Sequence, residues 1–170
     1  YDTALAQAAG YSPSAAAALL EQAGYQKGED GLLYRGRTAL ELTFVVNTDN
    51  SFKLAVAEYL AGQLSSLGIT VDLQKLSWDD YLTALERGNF DLYLGEVSLT
   101  ADFDLAPLVG SGGTLNYGGY SSTQTQALLS ALRIADDETR LEAAQALYTQ
   151  LQKDAPLVPL CFKTGSVLTQ

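Results

Sequence analysis

Two carboxylates, Asp102 and Asp104, stand two positions apart in the run ADFDL. On an extended loop that spacing turns both side chains to one side, about 6–7 Å apart. Such a pair can divide acid and base work, as in glycoside hydrolysis. Asp104 has a second reading, as the cap of a short helix Leu105–Val109 whose first turn tolerates Pro107. Asp102 has no such local role and is expected to face a ligand. Glu96 lies where a strand ends, placed either to accept a ligand donor or to be solvated. Asn116 and Tyr117 offer an amide and an amphipathic ring on the glycine-rich run GSGGTLNYGGY. Both suit ligand contact and both suit loop packing. Asn47 opens a turn expected at the same edge. Trp78 starts a helix and reads as a packing anchor more than as a stacking platform. Cys161 lies in an apolar run and reads as buried and inert.

The residues that are missing narrow the chemistry. The chain contains no histidine, so Ser-His-Asp and Cys-His triads cannot form within it. Its single cysteine supplies neither an internal disulfide nor a metal cluster. No cofactor and no metal site are expected. The glycine-rich run lacks the GxxxxGK[ST] pattern of a phosphate loop and reads as a surface loop near a cleft. A net charge of −10 repels phosphate backbones and anionic membranes and favours a cationic or amine-bearing partner. No apolar run approaches the roughly 18 residues of a membrane span. The absence of methionine leads to the expectation of a processed or excised piece, with any signal peptide outside it.

The elements that must position these residues follow from periodicity and caps. A length of 170 residues, 47% of them hydrophobic, suits one domain with a real core. After a connector Tyr1–Ser12, Ser14 is expected to cap a helix Ala15–Ala23 with Leu19, Leu20 and Ala23 inward and Gly24 left-handed at its end. Tyr25–Arg37 reads as an irregular excursion with a short hairpin around Leu32–Tyr34. Leu40–Val46 is a strand entering a core. Ser51 caps a helix Phe52–Leu67 with Phe52, Val56, Tyr59, Leu60, Leu64 and Leu67 as its stripe. Ile69–Leu76 is a second strand, and Ser77 caps a helix Trp78–Arg87 that Gly88 ends. The strand beginning at Phe90 is read as the central one. This β-α-β-α-β order predicts parallel, right-handed connections with all three carboxyl ends on one edge. Asn47–Asn50, Ser77–Trp78 and Glu96–Asp104 then become neighbours, at the kind of edge where open α/β sheets hold ligands. A helix from Ser122 or Thr123 to Ile134 follows, with Leu128, Leu129 and Leu132 inward. Asp136 is expected to cap the longest helix, Asp137–Lys153, with the stripe Leu141, Ala144, Leu147, Tyr148 and Leu151. Leu157–Phe162 reads as a buried strand and Ser166–Thr169 as one more. The fold class is α/β, an open and mainly parallel sheet flanked by helices.

In that order, the segments ALLEQAGY, LELTFVVN, LSSLGITVDLQ, WDDYLTALERGNFDLYLG, ADFDL, LNYGGYSS and QLQKDAPLVPL resemble the extracellular solute-binding proteins of family 5, which serve ABC transporters for peptides and nickel. The likeness runs from about Ala15 to Leu168 and matches the carboxy-terminal lobe. It implies a periplasmic-binding-protein-like lobe, residues 1–170, that catalyses nothing and forms one side of a cleft. It also implies a missing amino-terminal lobe, an ABC permease as partner, and a monomer. An extracellular or periplasmic place, as a lipoprotein in the full-length protein, follows from the same likeness. Tyr1 and Gln170 are then expected close together on the cleft side. In peptide-binding relatives a glycine, an aromatic and an amine-binding aspartate follow this strand. Gly95 matches the glycine, Glu96 stands where tryptophan is usual, Val97–Ala101 are extra, and Asp102 is the best match to the aspartate. Leu105 replaces the expected proline. Nickel relatives often use a histidine, which this chain lacks. The alternative is a small hydrolase using Asp102 with Glu96 or Asp104; it requires two carboxylates converging on one pocket.

Overall fold

The computed structural model describes residues 10–100 and 102–162. They fall into two compact units, 10–104 and 105–162. The connector before Gly10, the strand expected at Ser166–Thr169 and the expected closeness of Tyr1 and Gln170 lie outside the described residues.

The first unit is built on β4 (Glu41–Asn47), whose sequence ELTFVVN turns from alternating to wholly apolar. Phe44, Val45, Val46 and Asn47 are all buried. Strand β4 pairs in parallel with β5 (Thr70–Leu76) on one side and β6 (Leu92–Leu94) on the other. The order β5-β4-β6 makes β4 the middle strand and β6 an edge of the described sheet. That corrects the reading of the strand at Phe90 as central. The reason is burial: Phe44, Val45 and Val46 of β4 are all buried, whereas Leu92 of β6 is exposed. Asp91 holds β6 in register, since the Thr43 amide donates to its carboxylate at 2.8 Å and its own amide donates to the Thr43 carbonyl at 2.9 Å.

The crossovers are α2 (Ser51–Ser66) and α3 (Trp78–Arg87). They run in opposite directions across the sheet, and right-handed connections then put them on opposite faces. Helix α2 buries Ala57 and Ala61 against Phe44 and Val46, flanked by Leu54 and Leu60. Of the stripe expected of α2, Leu60 packs on the core and Val56, Leu64 and Leu67 are half-buried, but Phe52 and Tyr59 are exposed and the buried positions are Ala57 and Ala61. The bulk comes from the sheet, and small residues let the helix approach it. Its cap is Asn50, which accepts from the Lys53 amide at 3.1 Å, in place of the expected Ser51. Helix α3 follows its expected bounds. Ser77 caps it, Asp79 and Asp80 meet its positive end, and Gly88 ends it in the left-handed region at φ 67°.

Before β4 come α1 (Pro13–Gln22) and a small antiparallel sheet, β1 (Gln26–Lys27), β2 (Leu33–Arg35) and β3 (Thr38–Ala39). The excursion expected at Tyr25–Arg37 is thus an ordered meander. Ser12, not Ser14, caps α1, because Pro13 has the fixed φ and missing donor that suit a first helical turn. Leu19 is exposed, so the stripe expected of α1 does not form. The meander docks on the turn after α2, where the Leu33 amide donates to the Gly68 carbonyl at 2.7 Å.

The second unit holds α4 (Ala106–Val109), α5 (Thr123–Ile134) and α6 (Arg140–Asp154). Leu128, Leu129 and Leu132 pack as expected, against a core of Val109, Leu147 and Leu151. Leu141 and much of Tyr148 face away from it. Asp136 closes a turn ahead of α6, accepting from the Thr139 amide at 3.0 Å and its hydroxyl at 2.7 Å. The helix therefore starts later than expected, and at 15 residues it is shorter than α2 with 16. Leu157–Phe162 is not a strand. Val158, Leu160 and Phe162 are exposed, and so is Cys161, against the expectation of burial. Apolar sequence favours extension, but a strand needs a neighbour to take its backbone hydrogen bonds.

Two glycines separate steric from conformational cost. A Cβ on Gly68, at φ 99°, would lie 2.6 Å from the Gly31 carbonyl oxygen, whereas one on Gly88 meets nothing within 4 Å. Gly88→Ala is expected to destabilise the chain by about 1 kcal/mol. Gly68→Ala should cost at least about 2 kcal/mol, because backbone overlap is added to the left-handed strain. Urea unfolding of the two variants, followed by circular dichroism, measures the difference.

Candidate functional site

The carboxyl ends of β4 and β6 lie side by side, with Val46 paired to Leu94. The chain leaves them at a topological switch point, where an open sheet forms a crevice. Asn47 ends β4 and is only 3% exposed. Its amide nitrogen donates to the Asp49 carboxylate and its amide oxygen accepts from the Asp49 backbone, both at 3.2 Å. This Asx-type turn aims the chain into α2. Thr48 ties the turn to the next strand, since its amide and hydroxyl both donate to the Leu76 carbonyl, at 2.9 and 3.1 Å.

Glu96 lies two residues beyond β6, half exposed, with its carboxylate 3.6 Å from the Lys53 ammonium. Lys53 belongs to the first turn of α2, and its side chain is 18% exposed. Sequence reasoning missed Lys53. The available signal was a lysine at the positive end of a helix, where the macrodipole disfavours it unless an acid is near. The edge thus brings Asn47 and Glu96 together and adds a cation between the strand exits.

Trp78 follows β5 at the same edge. Its ring stacks on Tyr81 at 5.9 Å, yet it remains 49% exposed. Tyr81 is buried and donates its hydroxyl to the Leu94 carbonyl at 3.1 Å. The packing role expected of Trp78 therefore accounts for one face of the ring. Gly95 lets the chain pass this tyrosine: a Cβ there would meet the Tyr93 ring at 3.2 Å and the Tyr81 hydroxyl at 3.5 Å.

Beyond Glu96 the chain reaches a turn in which the Phe103 amide donates to the Thr100 carbonyl at 2.9 Å and the Asp104 amide to the Thr100 hydroxyl at 3.2 Å. Asp102 and Asp104 are exposed on it. Phe103 between them is held at φ 55°, a conformation costly for a bulky residue. Asp104 does not cap α4, whose cap position is Leu105 with no side-chain cap bond.

In the other unit, Asn116 organises the glycine-rich loop. Its amide nitrogen donates to the Gly110 and Tyr120 carbonyls at 3.0 and 2.8 Å, and its oxygen accepts from the Tyr120 amide at 3.0 Å. Tyr117 is half-buried beside it. The Tyr120 hydroxyl lies 2.7 Å from that of the fully buried Thr125 and donates to Asp154 at 2.5 Å. That bond, with one from Gln150, holds the Asp154 carboxyl below its ordinary range.

A parallel sheet with helices and a polar carboxyl edge is the architecture of a solute-binding lobe, and the chain's relatives are of that class. The chain belongs to the bacterial extracellular solute-binding proteins, family 5 (Middle), whose sequence pattern matches residues 1–119. A search of curated proteins finds no match. Solved structures share the fold. The oligopeptide-binding protein AppA of Bacillus subtilis, in complex with a nonapeptide, is 24% identical with a TM-score of 0.77 over 86% of this chain and 30% of its own. A mannohexaose-bound periplasmic oligopeptide-binding protein of Thermotoga maritima is 23% identical with a TM-score of 0.81 over 94% and 32%. NikZ of Campylobacter jejuni, in complex with Ni(L-His), is 19% identical with a TM-score of 0.76 over 86% and 31%. The chain therefore spans about a third of these relatives' length. Among the described residues, no helix is long and apolar enough to cross a membrane.

Asn116→Ala removes both donors and the acceptor that close the glycine-rich loop, and it is expected to cost about 1–3 kcal/mol in urea unfolding. The Tyr120–Asp154 bond predicts a pH signature. A depressed carboxyl pKa contributes stability above the unfolded value of about 3.9 and loses it as pH falls through the folded value. Tyr120→Phe is therefore expected to lose less stability than the wild type on acidification below about pH 4, as read from thermal midpoints.

Proposed function

We propose that this chain supplies one side of the ligand cleft of an ABC-transporter substrate-binding protein that takes peptides or similar small solutes. The observation that carries the reading is the polar edge of Asn47, Lys53 and Glu96 at the β4–β6 switch point of a family 5 chain. Asp102, beyond that edge, is proposed to pair with a ligand amine, because a charged amine shut away from water needs a carboxylate. Glu96, Asn116, Tyr117 and Asn47 are proposed as further ligand contacts. The inward bonds of Asn47 and Asn116 give these two the part of shaping backbone that meets the ligand. The net charge of −10 favours an amine-bearing solute and opposes nucleic acid.

The rest of the proposal concerns the whole protein. An amino-terminal lobe closes over the ligand by hinge motion, and the closed form docks on an ABC permease. The protein works outside the cytoplasm as a monomer, membrane-anchored as a lipoprotein, and catalyses nothing. Membership of a solute-binding family supports this reading over a carboxylate-pair hydrolase.

With half of the contacts absent, calorimetric titration of the 170-residue chain with tri- to nonapeptides is expected to give no binding tighter than about millimolar. Micromolar binding would remove the half-site reading. In the full-length protein, Asp102→Asn is expected to weaken the solute that co-purifies, identified by native mass spectrometry, by tenfold or more. Unchanged affinity would take the amine-pairing role from Asp102.

A further inference from the structure

We infer that Lys53 is a positioning residue of the ligand edge: its ammonium anchors Glu96 and so holds the chain leaving β6 against the start of α2. The functional meaning rests on the receptor reading above, but the anchoring stands on geometry.

Three observations converge on Lys53. Its backbone is fixed, because its amide donates to the Asn50 cap at 3.1 Å. Its side chain is largely shielded, so its stem is held against the fold. It lies in the first turn of a helix, the wrong end for a cation, which raises its demand for a nearby carboxylate. Glu96 meets that demand at 3.6 Å.

The position of the pair gives it leverage. Lys53 follows β4 and Glu96 follows β6, so the contact bridges the two strand exits that flank the switch point. Residues 95–100 carry no regular secondary structure and lead toward Asp102. At the other end of β6, the paired bonds between Asp91 and Thr43 fix the strand's entry. Anchoring Glu96 does the same for its exit, and the direction in which the chain sets off toward Asp102 is then determined. The ion pair also offsets the charge of Glu96, so a ligand amine bound nearby would be selected by Asp102 more than by Glu96.

The test is 15N relaxation on the 170-residue chain without ligand, so that its failure would remove the anchor and leave the receptor reading standing. In Lys53→Met, amide order parameters over residues 96–100 are expected to fall from about 0.8 toward 0.6, while β4 and β5 keep about 0.85. Glu96→Gln, which breaks the pair from the other side and leaves α2 untouched, should reproduce the fall. Lys53→Arg should retain the wild-type values, and so should the exchanged pair Lys53→Glu with Glu96→Lys. Raising the salt concentration should loosen the segment in the wild type but not in Lys53→Met. Unchanged order parameters in both Lys53→Met and Glu96→Gln would overturn the inference. A fall in Lys53→Arg as large as in Lys53→Met would overturn it too.

Discussion

Parallel pairing on both sides of β4 is the constraint from which the first unit follows. A parallel neighbour cannot be reached by a tight turn, so each connection must cross over the sheet. Helices α2 and α3 are those crossovers, and with one on each face the middle strand is sealed. Val45 and Val46 are wholly buried as a result. Parallel direction also collects the strand exits on a single edge. That edge cannot be an apolar core, because three segments of the chain turn there and their backbone groups need polar partners.

Local side chains meet that need before any ligand does. Asn47 and Thr48 take up the turn after β4, Ser77 the start of α3, and Tyr81 the carbonyl that ends β6. Lys53 and Glu96 then join two exits by charge. An edge built this way is largely pre-formed. The exposed part of Trp78 and the strained Phe103 are the features of the edge and its continuation that internal packing does not use up.

The second unit applies the same principle to a sequence that looks flexible. Glycines in the run 110–120 supply the left-handed turns, as at Gly112 and Gly119. One amide, Asn116, gathers the loop by bonding to its two ends. Tyr120 then couples it to the start of α5 and the end of α6 through Thr125 and Asp154. Composition marks such a run as a loop, yet what it becomes depends on three hydrogen bonds from one side chain.

The cap at Ser77, the glycine stops and the parallel direction of the strands were legible because they depend on a few neighbouring residues, whereas the caps expected at Ser14, Ser51, Asp104 and Asp136 fell elsewhere. Ser77, Gly68 and Gly88, the parallel β-α-β-α-β unit and the inward leucines of α5 could all be read directly. Phase and partnership were not. The stripe of α2 fell on Ala57 and Ala61 because β4 brings the bulk. Leu157–Phe162 pairs with no strand among the described residues, and the middle place in the sheet went to β4, whose Phe44, Val45 and Val46 are buried while Leu92 of β6 is exposed. The topology placed Asn47 and Glu96 at one edge, but Lys53, which pairs with Glu96, lies 43 positions away in sequence (96 less 53). Sequence by itself determined the family, the α/β class and the edge on which the strand exits gather, since these rest on order and local preference. Tertiary structure alone decided which faces were buried and which charges met, because burial and ion pairing are set by distances in space that no local pattern encodes.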